Sequence, residues 1–243
     1  MILRNVLILT KLIFLAFFFN INCILATLKV LPYGRSPKNS KRAMYFLEWI
    51  TNILQIEVEC ENYSPSRGKG PKIWVINHQS FLDTIVLSKV WPESSIVISK
   101  SSVRFHGFFG ILSYFCNTYF IDRSNHKESV AKLKECALQT KKEDCILIIF
   151  PEGTRGDGID LREFKKGAFH MAYDNEIPVQ PIVITGYKKF YRPKEFFFKP
   201  GKINIEFLDE INVTRENFQN PQEILEKCYN MMRETFLCKN KDL

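Results

Sequence analysis

Short apolar runs separated by polar turns recur along the chain from Pro71 to Leu208. Runs rich in Ile and Val are typical of buried strands, and apolar positions three or four residues apart are typical of helices. Strands are predicted at Ile73–Ile76, Ser95–Ser99, Ile146–Ile149, Val179–Thr185 and, as an alternating edge strand, Ile203–Leu208. Helices are predicted at Ser40–Ile56, Thr84–Val90, Lys127–Lys142, Phe164–Tyr173 and Pro221–Phe236. This alternation predicts an α/β fold, a largely parallel sheet with helices on both faces.

The most apolar segment lies near the amino terminus, from Leu12 to Leu31. It has about 20 residues, the length that a helix needs to cross the hydrocarbon core of a bilayer. A cleaved signal peptide is the alternative, because Arg4 and Lys11 precede the segment and small residues near Ala26 resemble a cleavage region. The apolar character continues beyond Ala26, so we predict an uncleaved membrane-anchoring helix over residues 1–31.

A basic cluster follows the apolar segment and outnumbers the two basic residues before it. Its members are Arg35, Lys38, Lys41 and Arg42. Because basic residues concentrate on the cytosolic side of membrane-spanning helices, the remainder of the chain is predicted to face the cytosol. Residues 32–70 are predicted to form an amphipathic or interfacial helix and then a loop, rich in Ser, Gly and Pro, between Tyr63 and Pro71.

Composition narrows the classes of protein and partner. With 243 residues, of which 46% are hydrophobic, the chain can form one sizeable core. The net charge of +8 favours anionic partners, namely phosphorylated metabolites, acidic lipid surfaces or nucleic acid. The seven cysteines are scattered and include no C-x-x-C pair, which argues against a disulfide framework or structural zinc and indicates reduced thiols in a protein that faces the cytosol.

Two segments are unusually rich in aromatic residues. The first, Phe105 to Phe120, fits the wall of a tunnel for an apolar chain, a helix that dips into the membrane, or ordinary core. The second, Lys188 to Lys202, interleaves cations with aromatic rings, a mixture that suits an interface with anionic lipid. Stacking on single-stranded nucleic acid would use the same residue types. No RNA-binding signature accompanies them, so we predict no nucleic-acid partner.

A candidate catalytic pair follows the first predicted strand. His78 lies in the turn directly after Ile73–Ile76, and Asp83 opens the next predicted helix five positions later. A carboxylate that accepts a hydrogen bond from one ring nitrogen fixes the tautomer of a histidine and makes the other nitrogen a better base. Such a pair could deprotonate a hydroxyl group of a substrate. A histidine and an aspartate at this spacing also occur by chance, so the pair needs support from a second site.

That support comes from Phe150-Pro151-Glu152-Gly153-Thr154-Arg155, which follows the predicted strand Ile146–Ile149. The carboxyl ends of strands form the ligand crevice in open α/β sheets, so this turn and the His78 turn are expected to face one pocket. Gly153 would allow close approach to the backbone, and the planar guanidinium of Arg155 could bind a phosphate through two parallel hydrogen bonds.

With both turns in view, the chain resembles the glycerolipid acyltransferase family, and within it the 1-acylglycerol-3-phosphate acyltransferases. Four blocks in the family's order carry the resemblance, and a further match lies at Phe164–His170. Block one is Asn77-His78-Gln79-Ser80-Phe81-Leu82-Asp83, block two is Tyr119-Phe120-Ile121-Asp122-Arg123, block three is Phe150 to Arg155, and block four is Ile177-Pro178-Val179-Gln180-Pro181-Ile182. The resemblance covers roughly Pro71 to Ile184 and implies that residues 71–243 form an acyltransferase catalytic domain.

The resemblance also implies roles for individual residues. His78 would be the general base and Asp83 its orienting partner, while the loop Glu152, Gly153, Thr154 and Arg155 would bind the glycerol phosphate of the acceptor. Glu152 is expected to hold Arg155 or a glycerol hydroxyl, because a free carboxylate beside phosphate would repel it. The chain contains no G-x-S-x-G nucleophile motif, so direct attack by the acceptor hydroxyl is expected rather than an acyl-enzyme intermediate.

Arg123 and Lys100 are further candidates for binding phosphate. Lys100 matches a family lysine, but the following Ser101-Ser102-Val103 departs from the acidic, leucine-containing pattern that is common there. The ordinary alternative for either cation is a surface salt bridge. His106, His126 and His170 lack acidic or cysteine partners at ligand spacing, so no metal site is predicted.

The reaction implied is transfer of a fatty acyl group from acyl-CoA to the free hydroxyl of 1-acylglycerol 3-phosphate (lysophosphatidic acid), giving phosphatidic acid. Acyl-CoA is then a co-substrate and no cofactor is expected. The enzyme would sit on a lipid bilayer, that of the endoplasmic reticulum, with its catalytic domain facing the cytosol. Another lysophospholipid or glycerol 3-phosphate is an alternative acceptor.

A different class of protein would be a lipid-binding module of the membrane surface that uses the segment Lys188 to Lys202. The joint presence of His78, Asp83, Glu152 and Arg155 argues against a module without catalysis.

Overall fold

A computed structural model of the chain describes residues 2–187, 191–192 and 197–241. The helices are α1 (Ile2–Val30), α2 (Asn39–Ile53), α3 (Asp83–Leu87), α4 (Gly107–Phe115), α5 (His126–Lys142), α6 (Gly167–Asn175) and α7 (Pro221–Lys241). The strands are β1 (Ile56–Glu61), β2 (Lys72–Ile76), β3 (Ser95–Lys100), β4 (Tyr119–Ile121), β5 (Ile146–Ile149), β6 (Val179–Thr185), β7 (Tyr191–Arg192), β8 (Phe197–Phe198) and β9 (Gly201–Phe207). Short 3-10 turns lie at Leu31–Tyr33, Pro65–Gly68, Ser88–Val90 and Ser101–Phe105.

Seven strands form one sheet in the order β1-β9-β6-β2-β5-β3-β4. Every neighbouring pair in it is parallel except β6 and β9, which run antiparallel. The predicted largely parallel sheet is therefore confirmed. Because β2 lies between β5 and β6, the turn that carries His78 leaves the sheet near its centre.

Helices cover both faces of the sheet, and the alternation of side chains along each strand shows why. In β2, Ile73 and Val75 pack into a core formed with α5, α6 and α7. Trp74 and Ile76 point the other way, into a core formed with α2 and α3. All four side chains are fully buried, so a polar residue at any of these positions would lose a hydrophobic contact on one face or the other.

The prediction of an edge strand near Ile203 to Leu208 is wrong in its position. This segment is β9, and β1 pairs outside it in parallel, with Ile56 opposite Gly201 and Val58 opposite Ile203. The sequence pattern concealed β1 because glutamates alternate with apolar residues there. Such alternation suits an edge strand whose glutamates face outward and pair with cations such as Lys202 and Lys239.

The aromatic run predicted as one segment from Phe105 to Phe120 divides into two elements. Helix α4 ends at Phe115, the backbone reverses at Asn117 with φ of +58°, and β4 begins at Tyr119. Asparagine tolerates this left-handed conformation better than most residues. Helix α6 begins at Gly167, later than the predicted start, because Phe164 is packed into the core before the helix starts.

Helix α1 packs against α2 and α4 through its carboxyl-terminal half. Cys23, Ala26 and Val30 are buried there, in a small core with Ala43 and Leu112. Small side chains let the helix backbones approach closely. The window Ala16–Tyr33, with a mean hydropathy of 1.4, is long and apolar enough to cross a membrane, and 22% of it is buried against the rest of the protein. In the basic aromatic segment Lys188 to Lys202, residues 188–190 and 193–196 lie outside the described residues, whereas β7, β8 and the start of β9 lie within them.

Candidate active site

The structure brings His78 and Asp83 into contact at the carboxyl end of β2. The Nδ1 atom of His78 lies 2.7 Å from Oδ2 of Asp83, the first residue of α3. The His78 side chain is 24% exposed, whereas the Asp83 side chain is 1% exposed. A carboxylate can only accept here, so Nδ1 donates its proton and the second ring nitrogen, Nε2, is left as the basic atom.

The same carboxylate oxygen of Asp83 holds the turn that carries the histidine. Oδ2 also accepts hydrogen bonds from the backbone N–H groups of Gln79 (2.8 Å) and Ser80 (3.0 Å). These bonds fix the Asp83 rotamer, so the imidazole is oriented by a carboxylate that is itself immobilised.

Asn77 joins the histidine turn to the neighbouring strand. Its side-chain amide donates to the backbone carbonyl of Ile184 (2.9 Å) and accepts from the backbone N–H of Ile184 (2.7 Å). Asn77 is fully buried, and Ile184 lies near the end of β6. Asn77 is part of block one, but its task could not be predicted from the sequence, because its partner is 107 residues away.

Glu152 braces the same turn from the other side. Its Oε1 accepts from the backbone N–H of His78 (2.6 Å), and its Oε2 accepts from the backbone N–H of Arg162 (3.1 Å). The N–H of Gly156 in turn donates to the carbonyl of His78 (2.7 Å). Block three and the glycine that follows it therefore hold both backbone polar groups of the candidate base.

This position corrects the expected task of Glu152. Its carboxylate is 3% exposed and its two oxygens face backbone N–H groups, so it does not hold Arg155 and is not open to a glycerol hydroxyl. Burial raises the pKa of Glu152, and the hydrogen bonds from His78 and Arg162 oppose that rise. Glu152 is a buried support of the His78 turn.

The loop after Glu152 faces solvent and carries cations. Thr154 and Arg155 are exposed, as expected of residues that bind a substrate. Gly153 has φ of +71°, and an added Cβ would lie 3.0 Å from Cε of Lys165 and 3.2 Å from Nη1 of Arg123. A side chain at position 153 would therefore be strained and would displace both cations.

Arg123 reaches this loop from the end of β4, and Lys165 reaches it from the segment before α6. The guanidinium of Arg123 donates to the carbonyl of Gly153, which ties block two to block three. Lys165 was part of the further match Phe164–His170 but was not predicted as a site residue. Only the fold shows that its ammonium lies beside Gly153.

Lys100 lies opposite Ile121 of β4 and is therefore close to block two, which carries Arg123. It is the exposed last residue of β3, and no hydrogen bond or ion pair joins it to block three within the described ranges. Its role in binding phosphate stays a prediction.

The family model described as Acyltransferase matches residues 55–185, which span β1 to β6 and contain all four blocks. The chain belongs to the acyltransferase family. The family predicted from the four blocks is thereby confirmed.

Relatives in two animals resemble this acyltransferase over most of its length. A putative 1-acyl-sn-glycerol-3-phosphate acyltransferase of Caenorhabditis elegans is 34% identical over 77% of this chain and 66% of its own length. The human 1-acyl-sn-glycerol-3-phosphate acyltransferase beta is 28% identical over 93% of this chain and 81% of its own.

The fold also matches a solved structure. The 1-acyl-sn-glycerophosphate (LPA) acyltransferase PlsC from Thermotoga maritima superposes with a TM-score of 0.73 over 96% of this chain and 95% of that one, at 21% identity.

Within this acyltransferase, Ser80 is a poor candidate for a nucleophile. It is 3% exposed, and its hydroxyl accepts from the backbone N–H of Leu82 (3.1 Å). Its task is to shape the turn between His78 and α3. The described part of the chain also contains no group of three His, Cys, Asp or Glu side chains that could hold a metal ion. The chemistry that this geometry supports is general base catalysis beside a cluster of cations.

Proposed function

We propose that this acyltransferase is membrane-bound and transfers a fatty acyl group from acyl-CoA to the free hydroxyl of 1-acylglycerol 3-phosphate, giving phosphatidic acid. The observation that carries the proposal is the His78–Asp83 pair, whose partly exposed imidazole lies beside block three. The names of the relatives, which refer to this acceptor, support its choice.

In the proposed reaction, Nε2 of His78 accepts the proton of the acceptor hydroxyl as its oxygen attacks the thioester carbonyl. The tetrahedral intermediate then collapses, the carbon–sulfur bond breaks, and the imidazolium returns the proton to the departing thiolate of CoA. Asp83 stabilises the imidazolium through its bond to Nδ1. The thioester is already activated, so acyl transfer does not require further activation of the donor. A general base contribution of about a hundred- to ten-thousandfold, together with positioning of the substrates, is the type of catalysis that this reaction needs.

Arg155 is proposed to bind the phosphate of the acceptor, with Thr154 and Arg123 beside it. Arg155 directly precedes Gly156, whose N–H bonds to the His78 carbonyl, so its backbone is held close to the base. The exposed guanidinium can meet phosphate with two parallel hydrogen bonds. Lys100 is a further candidate that would have to reach this site from the end of β3.

The membrane contact is proposed to involve α1 and α4 together. Their rings meet where Phe19 lies 5.6 Å from Phe109, measured between ring centroids. On and just before α4, Phe105 and Tyr114 are 80% and 51% exposed, which is a large exposure for aromatic residues. Helix α1 would span the bilayer of the endoplasmic reticulum, and the exposed rings of α4 would dip into its cytosolic surface.

Protease treatment of sealed microsomes tests this topology. Protease added outside should degrade the catalytic domain, because the basic cluster after α1 favours a cytosolic position for that domain. Full protection of the domain, or a mature chain that starts near Ala26, would overturn it.

The proposed function is tested by an acyl-CoA assay of membranes that contain the full chain. The acceptors are 1-acylglycerol 3-phosphate, lysophosphatidylcholine and glycerol 3-phosphate, each offered at equal concentration. We expect the first to be acylated with the highest kcat/KM. Preferential acylation of either other acceptor would show that the headgroup assignment is wrong.

A further inference from the structure

A cavity of about 690 Å³ opens beside the proposed base. It lies between the carboxyl ends of β3, β4 and β5 and the helices α5 and α6. Phe150 forms part of its lining, and the Phe150 ring lies 4.5 Å from the His78 ring, measured between centroids. A ligand in this cavity therefore reaches the reaction centre past a single side chain.

The cavity is apolar inside and basic at its rim. Aliphatic residues such as Ile121, Leu133 and Met171 line the interior. The cations on the lining are Arg123, Lys134, Lys165 and Lys166, and the acid on it is Asp174. In the described ranges of the chain, none of these three lysines has a carboxylate within ion-pair distance. Such unpaired cations around an apolar space favour a ligand that carries both phosphate and hydrocarbon.

Helix α6 adds to the preference for an anion and gives the cavity its length. Gly167 and Ala168, whose N–H groups have no partner inside the helix, line the cavity at the amino terminus of α6. The lining continues along α6 to Asn175, which is about 12 Å from Gly167 at the rise of an α-helix. The lining of the cavity thus extends along the full length of α6.

The face of the sheet on which the cavity lies also limits its occupant. Helices α5 and α6 cover one face, whereas α2 and α3 cover the opposite face and α1 and α4 pack beside α2. The cavity therefore lies on the face of the sheet opposite to the one beside which the helices proposed to contact the bilayer pack. A ligand that arrives from water reaches it more directly than one that arrives from lipid.

We propose that this cavity binds the CoA part of the acyl donor, with the pantetheine arm passing Phe150 and the phosphate groups lying among Lys134, Lys165 and Lys166. The assignment rests on the proposed function and names the donor subsite of that site. CoA is the water-soluble reactant and carries several phosphate charges at the end of a long, flexible arm. The lysolipid carries one phosphate group, and its chain is already dissolved in the bilayer.

Charge reversal on α5 tests the assignment with a matched control. Lys134 lines the cavity, whereas Lys142 is exposed on the same helix and does not, so Lys134→Glu and Lys142→Glu change the net charge equally. The Kd of CoA is measured by calorimetry on the full chain in detergent micelles. We expect Lys134→Glu to raise this Kd about tenfold or more, and Lys142→Glu to change it within about twofold.

Filling the cavity separates the two substrates. Val130 lines the cavity and Leu138 does not, and both are exposed on α5, 37% and 63% respectively, so tryptophan at either position should leave the fold intact. We expect Val130→Trp to raise the KM for acyl-CoA about tenfold, while the KM for the lysolipid acceptor stays within about twofold of wild type. Leu138→Trp should change neither KM by more than about twofold.

Two results would overturn the donor assignment. Equal effects of Lys134→Glu and Lys142→Glu on the Kd of CoA would show that the net charge, and not the position of Lys134, determines CoA binding. A rise in the KM for the lysolipid acceptor alone in Val130→Trp would place the lysolipid chain in the cavity. Failure of the proposed function is distinct from both, because wild type would then bind CoA with the expected lysine dependence without acylating 1-acylglycerol 3-phosphate.

Discussion

The turn that carries His78 and the loop that carries Arg155 differ in whether their polar groups are hydrogen-bonded within the protein or exposed. In the first, Asn77, Asp83 and the His78 backbone are all bonded to other parts of the chain. In the second, Thr154 and Arg155 are exposed. We infer that the proposed base is held in place by the fold, whereas Thr154 and Arg155, which are proposed to bind phosphate, are left accessible to a substrate.

Block three contains a buried, hydrogen-bonded side chain and an exposed one within four residues. Glu152 is buried and bonded to backbone N–H groups, and Arg155 is exposed. Loss of Glu152 should therefore act on the placement of the base, and loss of Arg155 on the affinity for the acceptor.

The largest effect is expected for Asp83→Asn. Gln79, Ser80 and His78 all bond to Oδ2 of Asp83, so an asparagine must place either its oxygen or its amide at that point. The oxygen would keep the N–H bonds without the negative charge that stabilises the imidazolium, and the amide would donate to Nδ1 of His78 and move the imidazole proton to Nε2. A histidine in that tautomer cannot act as the base, so kcat should fall by about a hundred- to ten-thousandfold with little change in either KM. Steady-state kinetics measures this. Asp160→Asn, which breaks an exposed ion pair with Arg233, is the control. Normal turnover in Asp83→Asn would show that the pair is structural.

A smaller effect, of the other kind, is expected for Arg155→Ala. Loss of a charge-assisted contact to phosphate should raise the acceptor KM by roughly thirty- to a thousandfold, with the KM for acyl-CoA much less affected. Arg155→Lys should recover part of the loss, because an ammonium keeps the charge without the planar fork. Arg162→Ala, at another exposed arginine, serves as the control. A rise in the KM for acyl-CoA alone would show that Arg155 binds acyl-CoA and not the acceptor.

The third effect is expected for Glu152→Gln. A glutamine can accept from one of the two N–H groups but turns an amide donor toward the other, which leaves a buried donor unpaired at a cost of about 1 to 3 kcal/mol. Placement of His78 should suffer, so kcat should fall roughly five- to a hundredfold while the acceptor KM changes little. The account is contradicted if the acceptor KM rises and kcat is preserved, because Glu152 would then touch the substrate.

The difference in stability between wild type and Glu152→Gln should depend on pH in a defined direction. Burial raises the pKa of Glu152 above its ordinary value of 4.5. Its contribution to the free energy of unfolding is therefore complete below that value and is lost as pH rises through the folded-state pKa. Glutamine does not titrate, so the deficit in Tm of the variant should narrow as pH rises from 4.5. Thermal unfolding at several pH values measures it.

The sequence predicted what depends on local patterns. The apolar runs predicted five of the seven strands of the main sheet, because a strand buried on both faces has little room for polar residues. It missed β1, where glutamates alternate with apolar residues, and β4, which is short and joined to an aromatic run. The contact between His78 and Asp83 was predictable because the two residues share one turn.

The tasks that depend on distant contacts were not predictable in the same way. Glu152 is 74 residues from His78, and no local pattern shows that its partner is a backbone N–H. Lys165 becomes part of the cation cluster only because the segment before α6 brings the chain back toward β4. The cavity between α5 and α6 likewise exists only after the strands have paired.

Replacement of His78 is the sharpest test of its proposed role as the base. Acyl transfer from acyl-CoA to 1-acylglycerol 3-phosphate is measured in membranes that contain equal amounts of wild type, His78→Ala and His106→Ala. His106 is exposed, and the hydrogen bonds of Asp83 in the described residues go to His78, Gln79 and Ser80, so the His106 variant controls for loss of a histidine. The account predicts that His78→Ala loses about a hundred- to ten-thousandfold in rate and that His106→Ala retains its rate. Near-normal transfer by His78→Ala would contradict it.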